Sequence, residues 1–297
     1  MDKISKILEG AIDIHQHTSP SIFPRIMDGI GAALDAKKAR IRGIVLKDHH
    51  IPTTDRAYLA HETVPEVEVF GGVVLNYAVG GLNPYAVDAA IRLGAKIVWM
   101  PSIDAMSHKR HFGEVGGFGR RLGYEKSFFY DKSEGIEILD ERGPDPRLIM
   151  ILRLIAEADI ALATSHLSFE ESKLLVEQAV RSNVKKVVAT HVDFITASLS
   201  LEEKKWMAER GVFLELCYST LLPPWKHKTI EEMVESINTI GAKHFIVSSD
   251  LGQLQNPPPS VGLRSFIEML LKHGIGEEEI RMMIKYNPEK LLGLKEL

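Results

Sequence analysis

The feature that most constrains this chain is a series of eight short apolar or β-branched runs, each ending on a polar or turn-forming residue and followed by a longer amphipathic stretch. The runs are Gly10 to His17, Ile41 to Asp48, Val67 to Asn76, Ala95 to Pro101, Ile160 to His166, Lys186 to His191, Val212 to Cys217 and Phe245 to Asp250. Their ends recur roughly every 25 to 33 residues, about one βα unit, except between Pro101 and His166. Eight such units with no dividing linker specify a single α/β domain over residues 1–297, a (β/α)8 barrel of parallel strands. The helices are expected at Met27 to Lys38, Thr54 to Glu62, Pro84 to Leu93, Asp145 to Ala158, Phe169 to Ser182, Leu201 to Glu209, Ile230 to Ile240 and Ser260 to Lys272, with a lead-in helix before them and a helical tail after. Thr54, with Asp55 behind it, and Ser168, with Glu170 and Glu171, read as entry caps. Gly94, Gly211 and Gly241 read as stops. The long fourth connection, residues 102–143, is an inserted loop with a hairpin near Ile136 to Leu139, sited to cover a barrel mouth.

Composition narrows the function. The 297 residues are 45% hydrophobic, enough for a core that needs neither disulfide nor metal for stability. The net charge of −4 provides no basic footprint, so nucleic acid is excluded as the main partner. The first residues lack the apolar segment of a signal peptide, and the greasiest later run, Leu148 to Ala156, is short and broken by Arg153. A cytoplasmic protein with no membrane partner is therefore expected; a homo-oligomer stays open. Cys217 is the only cysteine, so any metal must be held by histidine, carboxylate or a lysine-derived oxygen.

Asp13-Ile14-His15-Gln16-His17 is the strongest local signal. Alternation along a strand puts Asp13, His15 and His17 on one face, with the two imidazoles about 7 Å apart at the backbone and able to converge on one cation. His166, His191 and Asp250 each end a later run. In a parallel barrel the strand C-termini share one rim, so these five residues meet there as a metal-ligating set.

With that ordered set on the page, the chain resembles the amidohydrolase superfamily of metal-dependent barrel enzymes, over nearly its whole length. Asn287-Pro288-Glu289-Lys290-Leu291-Leu292-Gly293-Leu294 is similar to a tail common in the superfamily. Thr164-Ser165-His166-Leu167-Ser168 and Ser249-Asp250-Leu251-Gly252-Gln253 resemble an uncharacterised branch of it. The resemblance implies that His15, His17 and Asp250 form a first metal site and His166 and His191 a second; with one metal, His191 instead orients water or stabilises an oxyanion. The ions expected are one or two divalent cations, zinc first, with manganese, iron or nickel as other candidates. The fourth strand, Ile97-Val98-Trp99-Met100-Pro101, departs from the two-metal pattern because it ends without a bridging lysine or glutamate. Lys47 on the second strand is the substitute, either as a carbamate or as an ammonium paired with Asp48 or with substrate. Asp13 is expected to accept a ring N–H from outside the ligand set.

Such a site favours hydrolysis of an amide, ester, lactone or phosphoester of a small molecule, with Asp250 moving the proton. A lyase, such as a decarboxylase, or an isomerase on the same ligands is the alternative, and a purely structural or sensing metal is a third. Rim candidates for substrate binding are His49, His108, Arg110, His111, Arg120 and Tyr218, though the cations of the fourth connection can equally be solvated and offset by nearby acids. Gly117-Phe118-Gly119 does not follow a strand and is no dinucleotide motif. Cys217, Ser165 and Ser249 lack the setting of a nucleophile, and the methionines suggest no cofactor.

Overall fold

The computed structural model of the chain describes residues 2–118, 133–140 and 143–295. It is an α/β fold with parallel sheets. One sheet holds β1 (Ile12–His17), β2 (Gly43–Lys47) and β3 (Glu68–Phe70). The other runs, in spatial order, β11 (Phe245–Ser248), β10 (Phe213–Cys217), β9 (Val187–Ala189), β8 (Ala161–Ala163), β5 (Ile97–Trp99) and β4 (Gly72–Val74). β6 (Leu139–Asp140) and β7 (Gly143–Pro144) make a small antiparallel hairpin a few residues beyond the expected one.

The third expected strand is divided between the two sheets at Gly71. There Thr53 N donates to Gly72 O at 2.9 Å and Gly72 N donates to Thr53 Oγ1 at 2.9 Å, so a loop takes bonds that a continuous ladder would use. A Cβ on Gly71 would lie 2.6 Å from the Thr53 carbonyl oxygen, which no larger residue tolerates. At the opposite edges β1 and the end of β11 are tied by Asp250 N to His15 O at 2.9 Å and His17 N to Leu251 O at 2.8 Å. These two bonds bring the first and last strands of the series together.

Around the sheets lie α1 (Lys3–Leu8), α2 (Gly29–Lys38), α3 (Thr54–Thr63), α4 (Pro84–Arg92), α5 (Met106–Phe112), α6 (Pro146–Ala158), α7 (Phe169–Arg181), α8 (Leu201–Glu209), α9 (Ile230–Ile240), α10 (Pro259–Lys272), α11 (Glu277–Arg281) and α12 (Asn287–Leu292). The expected positions hold to within a few residues. α2 begins at Gly29 because Asp28 caps it, its carboxylate accepting from Gly31 N. Ser168 and Glu171 close a reciprocal capping box on α7. Thr54 does not cap α3; it is the first helical residue, and Thr53 ahead of it spends its hydroxyl on Leu46 O at 2.7 Å. Gly94, Gly211 and Gly241 follow α4, α8 and α9 with φ of +88°, +76° and +98°, the left-handed region that ends helices. α5 was not expected inside the fourth connection. None of the described helices is long and apolar enough to cross a membrane.

Two apolar layers form the core. One lies between sheet and helices. The other gathers inward strand residues, including Ile12, Ile14, Val45, Val74, Ile97, Trp99 and Ile246, and the tail residues Leu291 and Leu292. The tail is anchored by Asn287 Nδ2, which donates to Ala242 O at 3.0 Å and Phe245 O at 2.6 Å, and by Glu289, which receives Arg42 Nη1 at 2.6 Å. It thus packs at the start of β11, the end opposite Asp250. Burying each leucine contributes about 2 kcal/mol.

Gly252 sets the approach of the last loop to β1. Its φ is +131°, and a Cβ there would meet His17 O at 1.8 Å. Gly252→Ala is expected to lower unfolding stability by about 3 kcal/mol, measured by urea denaturation; an unchanged midpoint would remove this close contact from the account.

Candidate metal centre

β1 delivers His15 and His17 together because residues two apart on a strand share a face; its pairing with β2 shifts register between Asp13 and Gln16. The ring centroids are 5.3 Å apart. Asp250 comes from the turn after β11 and His191 from the turn after β9. Both have positive φ, +50° and +33°, as does Ser165 beside His166, at +55°. Non-glycine residues in this region are strained; Arg40, Asp159 and Asn183 share it at helix ends, and Ser165, His191 and Asp250 carry it at the site.

Three donor atoms converge. Asp250 Oδ1 lies 3.1 Å from His17 Nε2 and 3.2 Å from His15 Nε2. The other ring nitrogen of His15, Nδ1, is 3.1 Å from Glu215 Oε1 on β10. A neutral imidazole has one N–H, and a carboxylate can only accept. With Nδ1–H committed to Glu215, the His15 Nε2 lone pair faces a carboxylate oxygen and has no hydrogen-bond partner. His17 Nδ1 and His191 Nδ1 are also buried without partners among the described residues. A cation held by His15 Nε2, His17 Nε2 and Asp250 Oδ1 would give the His15 lone pair its partner, and this donor set of two imidazoles and a carboxylate suits a zinc-type ion.

The electrostatics agree. Burial pushes His17 and His166 well below the usual imidazole range and His191 down to about 3, so all three are neutral, as ligands must be. For Glu215 and Asp250 burial works against charge, but His15 and the hydrogen bonds outweigh it. Glu215 is held down at about 2 and Asp250 well below the carboxylate range. Ser219 Oγ donates to Asp250 Oδ2 at 2.7 Å, and Glu215 also receives Ser248 Oγ at 2.7 Å and His191 N at 3.0 Å.

His166 is set from behind by His108. His108 Nε2 lies 2.6 Å from Gly117 O, and its Nδ1 lies 2.8 Å from His166 Nδ1. The carbonyl can only accept, so the His108 proton is on Nε2. Burial lowers His108 to about 4, which leaves its Nδ1 as an acceptor. His166 Nδ1–H therefore donates to His108, and the His166 Nε2 lone pair stays uncommitted for a ligand. His108, expected on the rim for substrate, is fully buried behind the site.

Lys47 ends β2 in the cavity wall, 1% exposed, with Nζ 5.6 Å from the Trp99 ring centroid. Burial lowers its pKa. Among the described residues no ion pair joins it to Asp48, whose partners are His50 at 3.8 Å and Arg56 at 3.9 Å; that half of the expectation is corrected. Asp13 is corrected as well. Its carboxylate accepts from Ser249 N at 3.0 Å, His15 N at 3.3 Å and Gln16 Nε2 at 2.8 Å, so it shapes the backbone while Glu215 orients the His15 ring.

Of the remaining rim candidates, His49 lines the cavity, its ring stacked 5.0 Å from that of His17 and its Nδ1 2.9 Å from Ser102 Oγ. Arg110 is an exposed residue of α5 paired with Glu137 at 2.9 Å, as Lys109 is with Glu134 at 2.6 Å; these two follow the solvated alternative. His111 is exposed on the same helix. Tyr218 is buried against Phe266, outside the cavity lining. Arg120 lies outside the described residues. Cys217 is buried, its thiol pushed well up by burial, and is no nucleophile.

Sequence reasoning missed Glu215, Arg25 and the aromatic wall. Glu215 carried a signal: it is a lone carboxylate inside the apolar run Phe213-Leu214-Glu215-Leu216-Cys217. The cavity above the histidines is also lined by Phe23, Arg25, Phe118, Phe194, Trp225 and Gln253. Phe118 belongs to the described part of the fourth connection.

Solved structures share this α/β fold. The chain is similar to an amidohydrolase from Pseudomonas aeruginosa, at 13% identity and a TM-score of 0.65 over 97% of this chain and 98% of that one. It is similar to the probable dipeptidase PvdM from the same organism, at 12% identity and 0.63 over 98% and 96%. A third is the phosphotriesterase homology protein from Escherichia coli complexed with phosphate, at 12% identity and 0.56 over 96% and 99%. These identities establish likeness of fold. By sequence the chain belongs to a family of unknown function, DUF6282, whose model matches residues 10–215. No curated protein matches it in sequence.

The buried imidazoles fix a pH dependence. His17, His49, His108, His166 and His191 take up protons near pH 6.5 when unfolded but resist them when folded. Asp13 and Asp104, raised by burial to about 6, work in the opposite sense and offset two of the five. The melting temperature of metal-stripped protein is therefore expected to fall between pH 7 and 5, at about 1.4 kcal/mol per pH unit for each net proton. A calorimetric melting temperature that rises over this range would contradict the neutral-imidazole assignment.

Proposed function

We propose that the chain is a metal-dependent hydrolase of small molecules, built as one closed (β/α)8 barrel over residues 1–297. The observation that carries this is the approach of His15 Nε2 and His17 Nε2 to the single oxygen Asp250 Oδ1, at 3.2 and 3.1 Å. The β1 to β11 bonds and the division at Gly71 support barrel closure with one local interruption.

His15, His17 and Asp250 would hold a first divalent ion, zinc by the chemistry of the donor set, and His166 and His191 a second. With one ion, His191 instead orients the water or steadies the developing oxyanion. A bound ion supplies Lewis-acid polarisation of the scissile group and makes water acidic enough to attack near neutral pH. The chain's own residues do the rest. Asp250, ionised and fixed by Ser219, takes the proton of the attacking water and passes it to the leaving group. Glu215 keeps the His15 Nε2 lone pair turned inward, and His108 does the same for His166. Lys47, with its pKa lowered by burial, would offer an oxygen ligand if its neutral amine added carbon dioxide and lost a proton to form a carbamate. The substrate in this reading is a small amide, ester, lactone or phosphoester.

Asp250→Asn keeps size and the Ser219 contact but removes the base. It is expected to lower kcat by at least about a thousandfold against a panel of these four bond types, with the melting temperature nearly unchanged. Turnover in 18O-labelled water is expected to label the wild-type product. Near wild-type activity in the variant would remove Asp250 from the mechanism; product formed without solvent oxygen would favour the lyase or isomerase alternative.

A further inference from the structure

The histidines of the cavity are not equivalent, and the nitrogen on which each ring carries its proton separates them. His15 gives its Nδ1–H to Glu215 and His166 gives its own to His108, so both turn an Nε2 lone pair inward. His49 is held the other way round, by a buried relay across the ends of β2, β4 and β5. Asn76, just beyond β4, is fully buried, and its amide orientation follows from its partners. Its Oδ1 receives Ser102 N at 2.8 Å and Asp104 N at 3.4 Å, which only donate, and its Nδ2 lies 2.9 Å from His49 O, which only accepts. The second Nδ2 hydrogen therefore goes to Ser102 Oγ, at 2.8 Å.

Ser102, also fully buried, has one hydroxyl proton to place, and among the described residues the acceptor left beside it is His49 Nδ1, at 2.9 Å. Were His49 to donate from Nδ1 instead, that hydroxyl proton would be buried without a partner, a cost the opposite arrangement avoids. The hydroxyl donates, Nδ1 accepts, and the ring keeps its N–H on Nε2.

That N–H is available. The His49 ring lines the cavity with His17, His191 and Asp250. Among the described residues none accepts from its Nε2, yet that atom is not sealed in as His17 Nδ1 and His191 Nδ1 are. The rings of His17 and His49 are stacked, 28° from parallel, so the N–H, lying in its own ring plane, runs beside the His17 face rather than into it. Phe23 and Phe118 cross the ring steeply at 5.7 and 6.1 Å and hold it there. A nitrogen that carries hydrogen cannot ligate a cation, but it can donate to an oxygen. The Asp250 oxygens face His15, His17 and Ser219, so the acceptor this N–H meets comes from outside the chain.

On the hydrolase reading of the same site, an amide, ester, lactone or phosphoester presents a carbonyl or phosphoryl oxygen that gains negative charge as water adds. We propose that His49 is a catalytic residue of that reaction, its Nε2–H donating to this oxygen, and that Asn76 and Ser102 are positioning residues that hold the proton on Nε2. No bond to His49 forms or breaks; the ring is a fixed dipole aimed at developing charge and stands outside the metal-ligand set. The same oxygen is present in all four bond types, so the assignment does not depend on which is cleaved.

The test uses the zinc-loaded full chain with 15N-labelled histidine. The NMR spectrum is expected to show His49, assigned by the signals lost in His49→Phe, protonated at Nε2 and bare at Nδ1. Ser102→Ala, which keeps the imidazole, is expected to mix the two tautomers. Formate, the smallest carboxylate and suited to a cavity of about 40 Å3, is the ligand probe. His49→Phe is expected to weaken formate binding, read by calorimetry, at least about tenfold, with zinc content by elemental analysis unchanged. On whichever bond type is cleaved it is expected to lower kcat about a hundredfold with KM little changed. A wild-type proton on Nδ1, zinc lost from folded His49→Phe, or an unchanged formate affinity would each overturn the proposal. Should His49→Phe fail to fold, the wild-type tautomer, read after assignment by Ser102→Ala, and a weaker formate affinity in Ser102→Ala still decide it. The two readings fail separately. Turnover unaffected by His49→Phe would leave a hydrolase and overturn the role of His49; the expected tautomer and formate results with no bond hydrolysed would uphold the donor and overturn the hydrolase.

Discussion

Two imidazole nitrogens of one strand each lie within 3.2 Å of a carboxylate oxygen more than two hundred positions away in the chain, in a buried cavity. The rest of the fold is organised around that meeting. Parallel strands place their C-terminal ends on one side, and the hydrogen bonds from Asp250 N and His17 N across to His15 O and Leu251 O set the first and last strands side by side there. Desolvating this much polar surface opposes folding. Glu215 offsets part of the cost by fixing His15, Ser219 does so for Asp250, and a cation among the inward-facing atoms would complete the balance.

The turns beyond the strands hold the site residues through backbone angles, a buried ion pair and a histidine pair. Ser165, His191 and Asp250 adopt left-handed backbone angles in turns immediately beyond β8, β9 and β11. The turn carrying His191 is braced by a buried ion pair, Lys204 Nζ to Asp193 Oδ1 at 2.6 Å, with Ser236 Oγ also on the ammonium at 3.2 Å. His108 ties the fourth connection to His166 through Gly117 O, so the loop that brings Phe118 over the cavity is bonded to the same histidine that the site uses. At the other end of the strands Leu291 and Leu292 close the core, which leaves the site end free to carry groups that do not stabilise the protein.

What the sequence made legible was what is local. Strand and helix positions followed from periodicity, the Ser168 cap from its Glu171 partner, and the histidine and aspartate set from one residue type recurring at the ends of successive apolar runs. Glu215 was passed over because its strand neighbours are all apolar and its role depends on facing His15 from another strand. Arg25, Phe23, Phe118, Phe194 and Trp225 lie in separate connections, and nothing in their spacing announces a shared wall. Arg110 was a rim candidate for its charge, but two positions along α5 from His108 it lies about 200° round the helix, and it reaches Glu137 at the surface while His108 is buried. Asp13 had the right parity for a ring contact, yet its oxygens accept from the backbone N–H groups of Ser249 and His15 and from the Gln16 side-chain amide. Arg120 lies outside the described residues, so its expected place is unaddressed.

The central claim is that His15, His17 and Asp250 are partners of one inorganic cation. Anomalous diffraction at the zinc edge, from crystals grown in zinc at neutral pH, addresses it directly. The account predicts a peak about 2.0–2.2 Å from His15 Nε2, His17 Nε2 and an Asp250 oxygen. Well-ordered side chains at these three positions with no anomalous density between them would contradict it.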